Sequence, residues 1–117
     1  MYDISETDIK EGYTLSENIA LTETTYYILL SLYKPLHGYG IMQRAAELSG
    51  GRVRLAAGTL YGALNALVDK GWISLLPGEG RKKEYRLTPK GLEILKKELE
   101  RLRELVSSGD MVLKEEA

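Results

Sequence analysis

The sequence has no cysteine, no phenylalanine and a single histidine, His37. Without thiols, disulfide bonds and thiolate metal sites are excluded, and one imidazole is too little from which to build a metal site. No apolar run approaches the ~20 residues that a membrane-spanning helix needs. The first residues are acidic, unlike a secretory signal, so we expect a cytoplasmic protein with no membrane partner, no metal and no cofactor.

Catalytic patterns are also lacking. His37 has no thiol partner, and the sequence contains no glycine-rich phosphate loop. The carboxylates cluster towards the polar ends, where no apolar surroundings would shift their pKa values. We therefore do not predict an enzyme. The 117 residues, 44% hydrophobic and 28% charged, predict one globular domain.

Charge is distributed unevenly along the chain. The overall net charge is −1, but residues 34–90 hold ten lysines and arginines against four carboxylates, a net charge of +6. The remaining residues carry a net charge of −7. A basic middle between acidic ends is typical of a nucleic-acid-binding face, although chance segregation on a solvated surface would give the same pattern.

Apolar spacing and capping residues predict the helices. Residues 1–20 are polar and acidic, which indicates a mobile extension or a short helix that depends on a partner. Thr22 can cap a first helix over about residues 23–34, and a second covers about 38–48. Residues 52–55 alternate between basic and apolar side chains, which predicts a short strand.

The segment that follows has the outline of a winged helix-turn-helix. A third helix over about residues 57–70 leads to strands at about 72–76 and 83–87, joined by a turn rich in glycine. The predicted fold class is mainly α with a small β-hairpin. We divide the chain into a polar extension (1–20), a winged helix-turn-helix domain (21–88), a dimerisation helix (89–108) and a tail (109–117).

The third helix is the candidate recognition helix. Its ~14 residues span roughly 20 Å, enough to cross a major groove. Gly58 and Gly62 would allow close backbone approach, the Thr59 and Tyr61 hydroxyls could bind phosphate, and Asn65 could pair with adenine. Alternatively, Tyr61 packs into the core.

Three consecutive cations, Arg81, Lys82 and Lys83, lie at the tip of the predicted hairpin. Cations at such a tip can enter a minor groove or follow the phosphates. A solvated basic turn would have the same composition, but the preceding helix and strand favour DNA binding.

Apolar residues of the last helix step by three and four, the spacing of a coiled-coil seam: Leu92, Leu95, Leu99, Leu102 and Val106. The stripe could pack onto its own domain, but the charged remaining faces favour a dimer contact. A twofold dimer with recognition helices about 34 Å apart would meet successive major grooves.

Tyrosines are frequent, at eight residues. Tyr26, Tyr27 and Tyr33 could line a cavity at the dimer interface and offer stacking faces to a small aromatic effector. Such a cluster could equally belong to the core.

Three stretches together resemble the PadR family of bacterial transcriptional regulators. They are Leu-His-Gly-Tyr-Gly-Ile at 36–41, Gly-Thr-Leu-Tyr at 58–61 leading to Lys-Gly-Trp-Ile at 70–73, and Gly-Arg-Lys-Lys-Glu-Tyr-Arg-Leu-Thr-Pro-Lys-Gly at 80–91. The resemblance covers about residues 21–107 and implies a homodimeric repressor that binds a palindromic operator, often released by a small effector. It implies DNA contacts at Tyr39, Thr59, Tyr61, Arg81, Lys82 and Lys83.

Two features set the chain apart within that resemblance. A single C-terminal helix is similar to the short subfamily, which lacks the larger C-terminal dimer domain. Some multidrug-sensing members of that subfamily stack planar drugs on a tryptophan of the C-terminal helix, whereas the only tryptophan here, Trp72, begins the wing.

Three functions follow as hypotheses. The leading one is sequence-specific binding of double-stranded DNA by a homodimeric repressor. A winged-helix protein-interaction module would bind another protein through the wing and the third helix. A multidrug or aromatic ligand sensor would bind its ligand in a cavity between the last helices and thereby move the recognition helices.

Overall fold

The computed structural model describes residues 20–77 and 83–115. Within those ranges the secondary-structure elements follow in the order α1 (Glu23–Ser31), β1 (Leu36–His37), α2 (Gly38–Leu48), α3 (Ala57–Asp69), β2 (Ile73–Leu75), β3 (Glu84–Leu87) and α4 (Pro89–Glu115). The predicted fold class, mainly α with a small wing, is confirmed. Residues 1–19 of the predicted extension lie outside the described ranges.

Local capping chemistry determines where the helices begin and end. The Thr22 hydroxyl accepts a hydrogen bond from the Thr25 amide at 3.1 Å, which confirms the predicted cap of α1. The Thr88 hydroxyl accepts one from the Gly91 amide at 3.0 Å at the start of α4. Gly71, just after α3, has a φ of 78°, a backbone conformation that favours glycine and ends the helix.

The three strands form an antiparallel sheet in the order β1-β3-β2. Leu36 of β1 pairs with Tyr85, and Leu75 of β2 pairs with the same residue from the other side. The strand predicted at 52–55 is wrong. The Val53 amide there donates to the Ser49 hydroxyl at 2.9 Å, and the third strand comes instead from two residues between α1 and α2.

The core lies where α1, α2, α3 and the sheet meet. Its largest fully buried side chains are Ile28, Leu29, Leu32, Ile41, Leu60, Leu64 and Ile73. Leu95 of α4 joins this cluster and is only 6% exposed. The prediction of Leu95 as a dimer contact is therefore wrong, because its side chain packs against its own chain.

Helix α4 is longer than predicted. It continues through Ser107, Ser108 and Gly109 to Glu115, so the predicted end at residue 108 and the separate tail from residue 109 are wrong. A glycine inside a helix costs only about 1 kcal/mol relative to alanine, too little to end a helix that has no competing cap.

Within the described ranges, no helix combines the length and apolar character that a membrane crossing requires.

Two junctions hold α4 to the rest of the domain. The buried Glu98 carboxylate accepts hydrogen bonds from the Leu21 amide at 3.2 Å and from Arg101 at 2.7 Å. At the other junction, the Thr88 hydroxyl donates to the Gly71 carbonyl at 2.6 Å, and the Thr88 amide donates to the Trp72 carbonyl at 3.0 Å. The start of α4 is thus hydrogen-bonded to two of the residues that connect α3 to β2.

Candidate nucleic-acid interface

Helix α3 has a buried face and an exposed face. Leu60, Leu64 and Leu67 are buried, whereas Val68, one residue beyond them, is exposed. The exposed face carries Gly62 and four of the candidate residues, which are Gly58, Thr59, Tyr61 and Asn65. Gly58, Gly62 and Asn65 follow at i, i+4 and i+7, so one side of the helix presents small groups and one amide.

The N-terminus of α3 lacks a side-chain cap. Its N-cap residue is Ala56, whose methyl group cannot accept a hydrogen bond from the first-turn amides. Those amides point along the helix axis with the positive end of the helix dipole. An uncapped helix N-terminus on an exposed surface is suited to a phosphate oxygen.

Tyr61 combines packing with exposure. Its side chain is 45% exposed, while its hydroxyl lies directly against Gly38 at the first turn of α2. Burial, followed by the proximity of Tyr61, raises the pKa of Tyr85, so the Tyr61 ring also lies near β3. Tyr61 therefore packs its hydroxyl against its own chain, while nearly half of the residue stays exposed.

The first turn of α2 carries a second exposed tyrosine, next to Gly38 in the chain. Tyr39 follows Gly38 and is 62% exposed. The family resemblance predicts Tyr39 as a DNA contact but gives no role to His37 and Gly38, which hold this turn. The available signal was two glycines in the first turn of a helix, which indicates close packing rather than helix propensity.

The described part of the wing carries exposed cations. Lys83 immediately precedes β3 and is exposed, whereas Arg81 and Lys82 lie outside the described residues. Arg86 projects from the exposed side of β3, and its Nε atom donates to the Ser74 hydroxyl on β2 at 3.3 Å. Tyr85 is buried, while its neighbours Glu84 and Arg86 are exposed. This alternation is expected of a strand with one solvated face.

The candidate ligand residues do not form one cluster. The rings of Tyr26 and Tyr27 meet edge to face with centroids 5.6 Å apart, and burial raises the pKa of Tyr26. Tyr33 instead lines a separate depression beside Pro35 and Arg86. Trp72 lies under Lys70, whose Nζ atom is 4.8 Å from the ring centroid.

The candidate dimer residues separate into two groups along α4. Leu92, Leu99 and Leu102 are partly exposed beside the buried Leu95, and Val106 is 62% exposed. An open groove of about 800 Å³ runs along this face, with an apolar floor formed by Leu99, Leu102, Val106 and Met111.

The described residues contain no group of three or more His, Cys, Asp or Glu side chains that could hold a metal ion.

Solved structures of similar fold include two transcription factors. A PadR-like transcription factor from Bacteroides fragilis is 26% identical with a TM-score of 0.63, covering 92% of this chain and 96% of that one. Bacillus subtilis PadR, solved in complex with operator DNA, is 30% identical with a TM-score of 0.58. That match covers 69% of this chain and 48% of the Bacillus subtilis protein.

Sequence comparison gives a further relative and a family. An uncharacterized 37.1 kDa protein in transposon TN4556 of Streptomyces fradiae is 44% identical over 64 residues, which are 55% of this chain and 18% of that protein. This chain thus spans less than a fifth of that relative's length. The model of the transcriptional regulator PadR-like family matches residues 26–97, from α1 through the wing into α4. Because the match covers more than half of the sequence and the structure has the same winged-helix order, the chain belongs to the PadR-like family of DNA-binding transcriptional regulators, which are not enzymes.

Proposed function

We propose that this protein binds a palindromic operator as a homodimer, with α3 in the major groove and the wing beside it, and represses transcription. The observation that carries the proposal is the outward face of α3, which is exposed, small and uncapped at its N-terminus, next to two exposed tyrosines. A cytoplasmic location forms part of the proposal, since the DNA target lies there.

The glycines of α3 support a close approach of DNA. A Cβ atom built on Gly58 or Gly62 meets no atom within 4 Å, so packing inside the chain does not require glycine at either position. Glycine in a helix interior costs roughly 0.5–1 kcal/mol relative to alanine. Gly58 and Gly62 thus weaken the helix without being needed for packing inside the chain. A DNA partner that lies against the helix backbone would account for both glycines.

Specificity and affinity would come from different groups. Asp69 is the single charged residue of α3, so this helix supplies no positive charge. Base choice would rest on Thr59, Tyr61 and Asn65, with Tyr39 beside them. Most of the affinity would come from cations of the wing, including Lys83 and the sequence neighbours Arg81 and Lys82, through release of counterions from the phosphates.

The dimer would form through the second half of α4. Beyond Leu99 the helix carries exposed apolar side chains that its own domain does not cover, among them Leu105, Val106 and Leu113. A soluble monomer rarely leaves so many large apolar groups together in water. A twofold axis along this helix would relate two wings and two recognition helices, as a palindrome requires.

Release by a small aromatic effector is the last part of this proposal. Tyr26 and Tyr27 offer an edge-to-face ring pair on α1, which packs against α4. Screening planar aromatics against the Tyr26→Ala and Tyr27→Ala variants tests it. Unchanged effector affinity in both variants would remove these residues as the pocket.

A binding titration tests the central claim. Fluorescence anisotropy with the protein's own promoter and with shuffled DNA of the same length should show a preference for the promoter that weakens as salt rises. The triple variant Arg81→Ala, Lys82→Ala, Lys83→Ala should lose DNA binding and keep its oligomeric state. Equal affinity for both DNAs would contradict the proposal, and retained operator binding by the triple variant would favour a protein-interaction module.

A further inference from the structure

His37 lies where β1 passes into α2 and caps that helix. Its Nδ1 atom accepts a hydrogen bond from the Gly40 amide at 3.2 Å. Ser, Thr, Asp and Asn are the usual side chains at this position, and none of them gains a positive charge on acidification. Nδ1 can accept a hydrogen bond only while it carries no proton, so this cap requires the neutral imidazole with its hydrogen on Nε2.

The turn that His37 caps supports both exposed tyrosines of the candidate interface. The Tyr61 hydroxyl packs against Gly38, and the next residue, Tyr39, is exposed to solvent. Gly40 lies under the imidazole, because a Cβ atom built there would be 3.6 Å from His37 Cε1. If the first turn of α2 loosens, Tyr39 loses its fixed position relative to α3, and the Tyr61 hydroxyl loses its packing contact with Gly38.

Charged and titratable groups face this turn from two other elements. Glu84 of β3 is the cross-strand partner of His37, and Tyr61 of α3 contacts Gly38. A protonated imidazole would be attracted by the Glu84 carboxylate and repelled by the positive end of the α2 dipole. Both effects draw the ring away from the Gly40 amide and towards β3.

We propose that His37 is a positioning residue of the DNA-binding face: its neutral imidazole holds the first turn of α2, and its protonation releases that turn and weakens operator binding. This inference rests on the proposed function, because the affinity that changes is that for the operator. Histidine is the side chain whose charge ordinarily changes between pH 5 and 8, and operator affinity is therefore to be measured across that range.

Two substitutions at one position separate capping from charge. Asparagine caps helices well and does not titrate, whereas alanine cannot cap. Operator affinity is measured by anisotropy from pH 5.5 to 8 at constant ionic strength for the wild type, His37→Asn and His37→Ala. At pH 8 we expect the asparagine variant to bind within about twofold of the wild type and the alanine variant about fivefold more weakly.

The pH profile is the decisive comparison. Between pH 8 and 5.5 the wild type should lose about fivefold in operator affinity relative to His37→Asn, while other titrating groups affect both proteins alike. A constant ratio would overturn the inference. A wild type that binds more tightly than His37→Asn at pH 5.5 would overturn it as well, because an added positive charge near phosphate would then outweigh the cap.

A second measurement does not depend on DNA. Amide hydrogen exchange in the free protein should show the Gly40 amide less protected in the wild type than in His37→Asn at pH 5.5, and equally protected in both at pH 8. Equal protection at both pH values would contradict the release of the turn by protonation of His37. If the wild type shows no operator preference at any pH, the proposed function fails, and the exchange experiment still tests His37.

Discussion

The Tyr61 hydroxyl on α3 lies directly against Gly38 on α2, 23 residues earlier in the chain. This contact joins the candidate recognition helix to the helix before it at the edge of the exposed face. It leaves no space for a side chain at residue 38, since a Cβ atom there would be 2.8 Å from Tyr61 Cζ. The absence of a side chain at residue 38 therefore provides the space that the Tyr61 hydroxyl occupies.

Gly38→Ala should weaken operator binding more than it weakens the fold. The added methyl displaces the half-exposed Tyr61 ring into solvent, so we expect a loss of about 1 kcal/mol in the free energy of unfolding. Urea unfolding and operator anisotropy check both effects. In a Tyr61→Ala background the same substitution should no longer destabilise the protein, and a full penalty there would mean that Tyr61 is not the obstacle.

Gly62→Ala should separate stability from binding. A Cβ atom at residue 62 has open space, so the helix should gain about 0.5–1 kcal/mol, while the methyl on the outward face should reduce operator affinity. Gly109→Ala is the matched control, because that residue is also helical with open space but lies far along α4. The control should gain similar stability, which checks the effect of the glycine on the helix alone; a Gly62 variant that binds the operator as well as the wild type would argue against close approach.

Gly91→Ala should destabilise the fold severely. A Cβ atom there would overlap the carbonyl oxygen of Trp72, which is backbone and cannot rotate away. We expect a loss of about 3 kcal/mol or more, because overpacking against backbone forces the start of α4 away from the wing. Chemical denaturation of this variant beside the exposed neighbour substitution Lys90→Ala measures the effect. Near-equal stabilities would show that the junction can yield.

Glu98 should make folding sensitive to acid. Hydrogen bonds from Arg101, followed by that from the Leu21 amide, outweigh the effect of burial and hold the pKa of the Glu98 carboxyl below its usual value. The stabilisation is therefore present above the unfolded-state pKa of about 4.3 and is lost as the pH falls through the lower folded-state value.

The Glu98→Gln variant tests that sign. It should lose about 1–3 kcal/mol at pH 7, and its unfolding free energy should fall less between pH 5 and 3 than that of the wild type. The exposed Glu100→Gln serves as the control. Parallel pH profiles for the wild type and Glu98→Gln would show that the pair does not govern acid stability.

Val106→Glu should dissociate the proposed dimer. Burying an unpaired carboxylate at the seam costs more than the 1.4 kcal/mol that corresponds to a tenfold change, so the dimer dissociation constant should rise by more than about tenfold. Sedimentation velocity measures it, with Glu104→Ala, two residues away and so on the opposite side of the helix, as the control. An unchanged dimer would move the interface away from this face of α4.

Several features of the fold followed from short stretches of sequence because the forces behind them are local. Thr22 and Thr88 cap helices through amides three residues on, and Gly71 ends α3 through its own backbone conformation. The stripe of Leu60, Leu64 and Leu67 needs only the helical period. The sequence also predicted the wing, because two strand-like runs flank one segment of strongly turn-forming residues.

Other features were decided by residues far apart in the chain. Two residues, Leu36 and His37, show no alternation, and they form a strand only because β3 offers a free edge. The leucines of α4 share one period, yet Leu95 is buried and Val106 is exposed, because only the first half of α4 lies against the domain. Periodicity shows which face of a helix is apolar, but tertiary packing decides whether the same chain covers that face or leaves it for a partner.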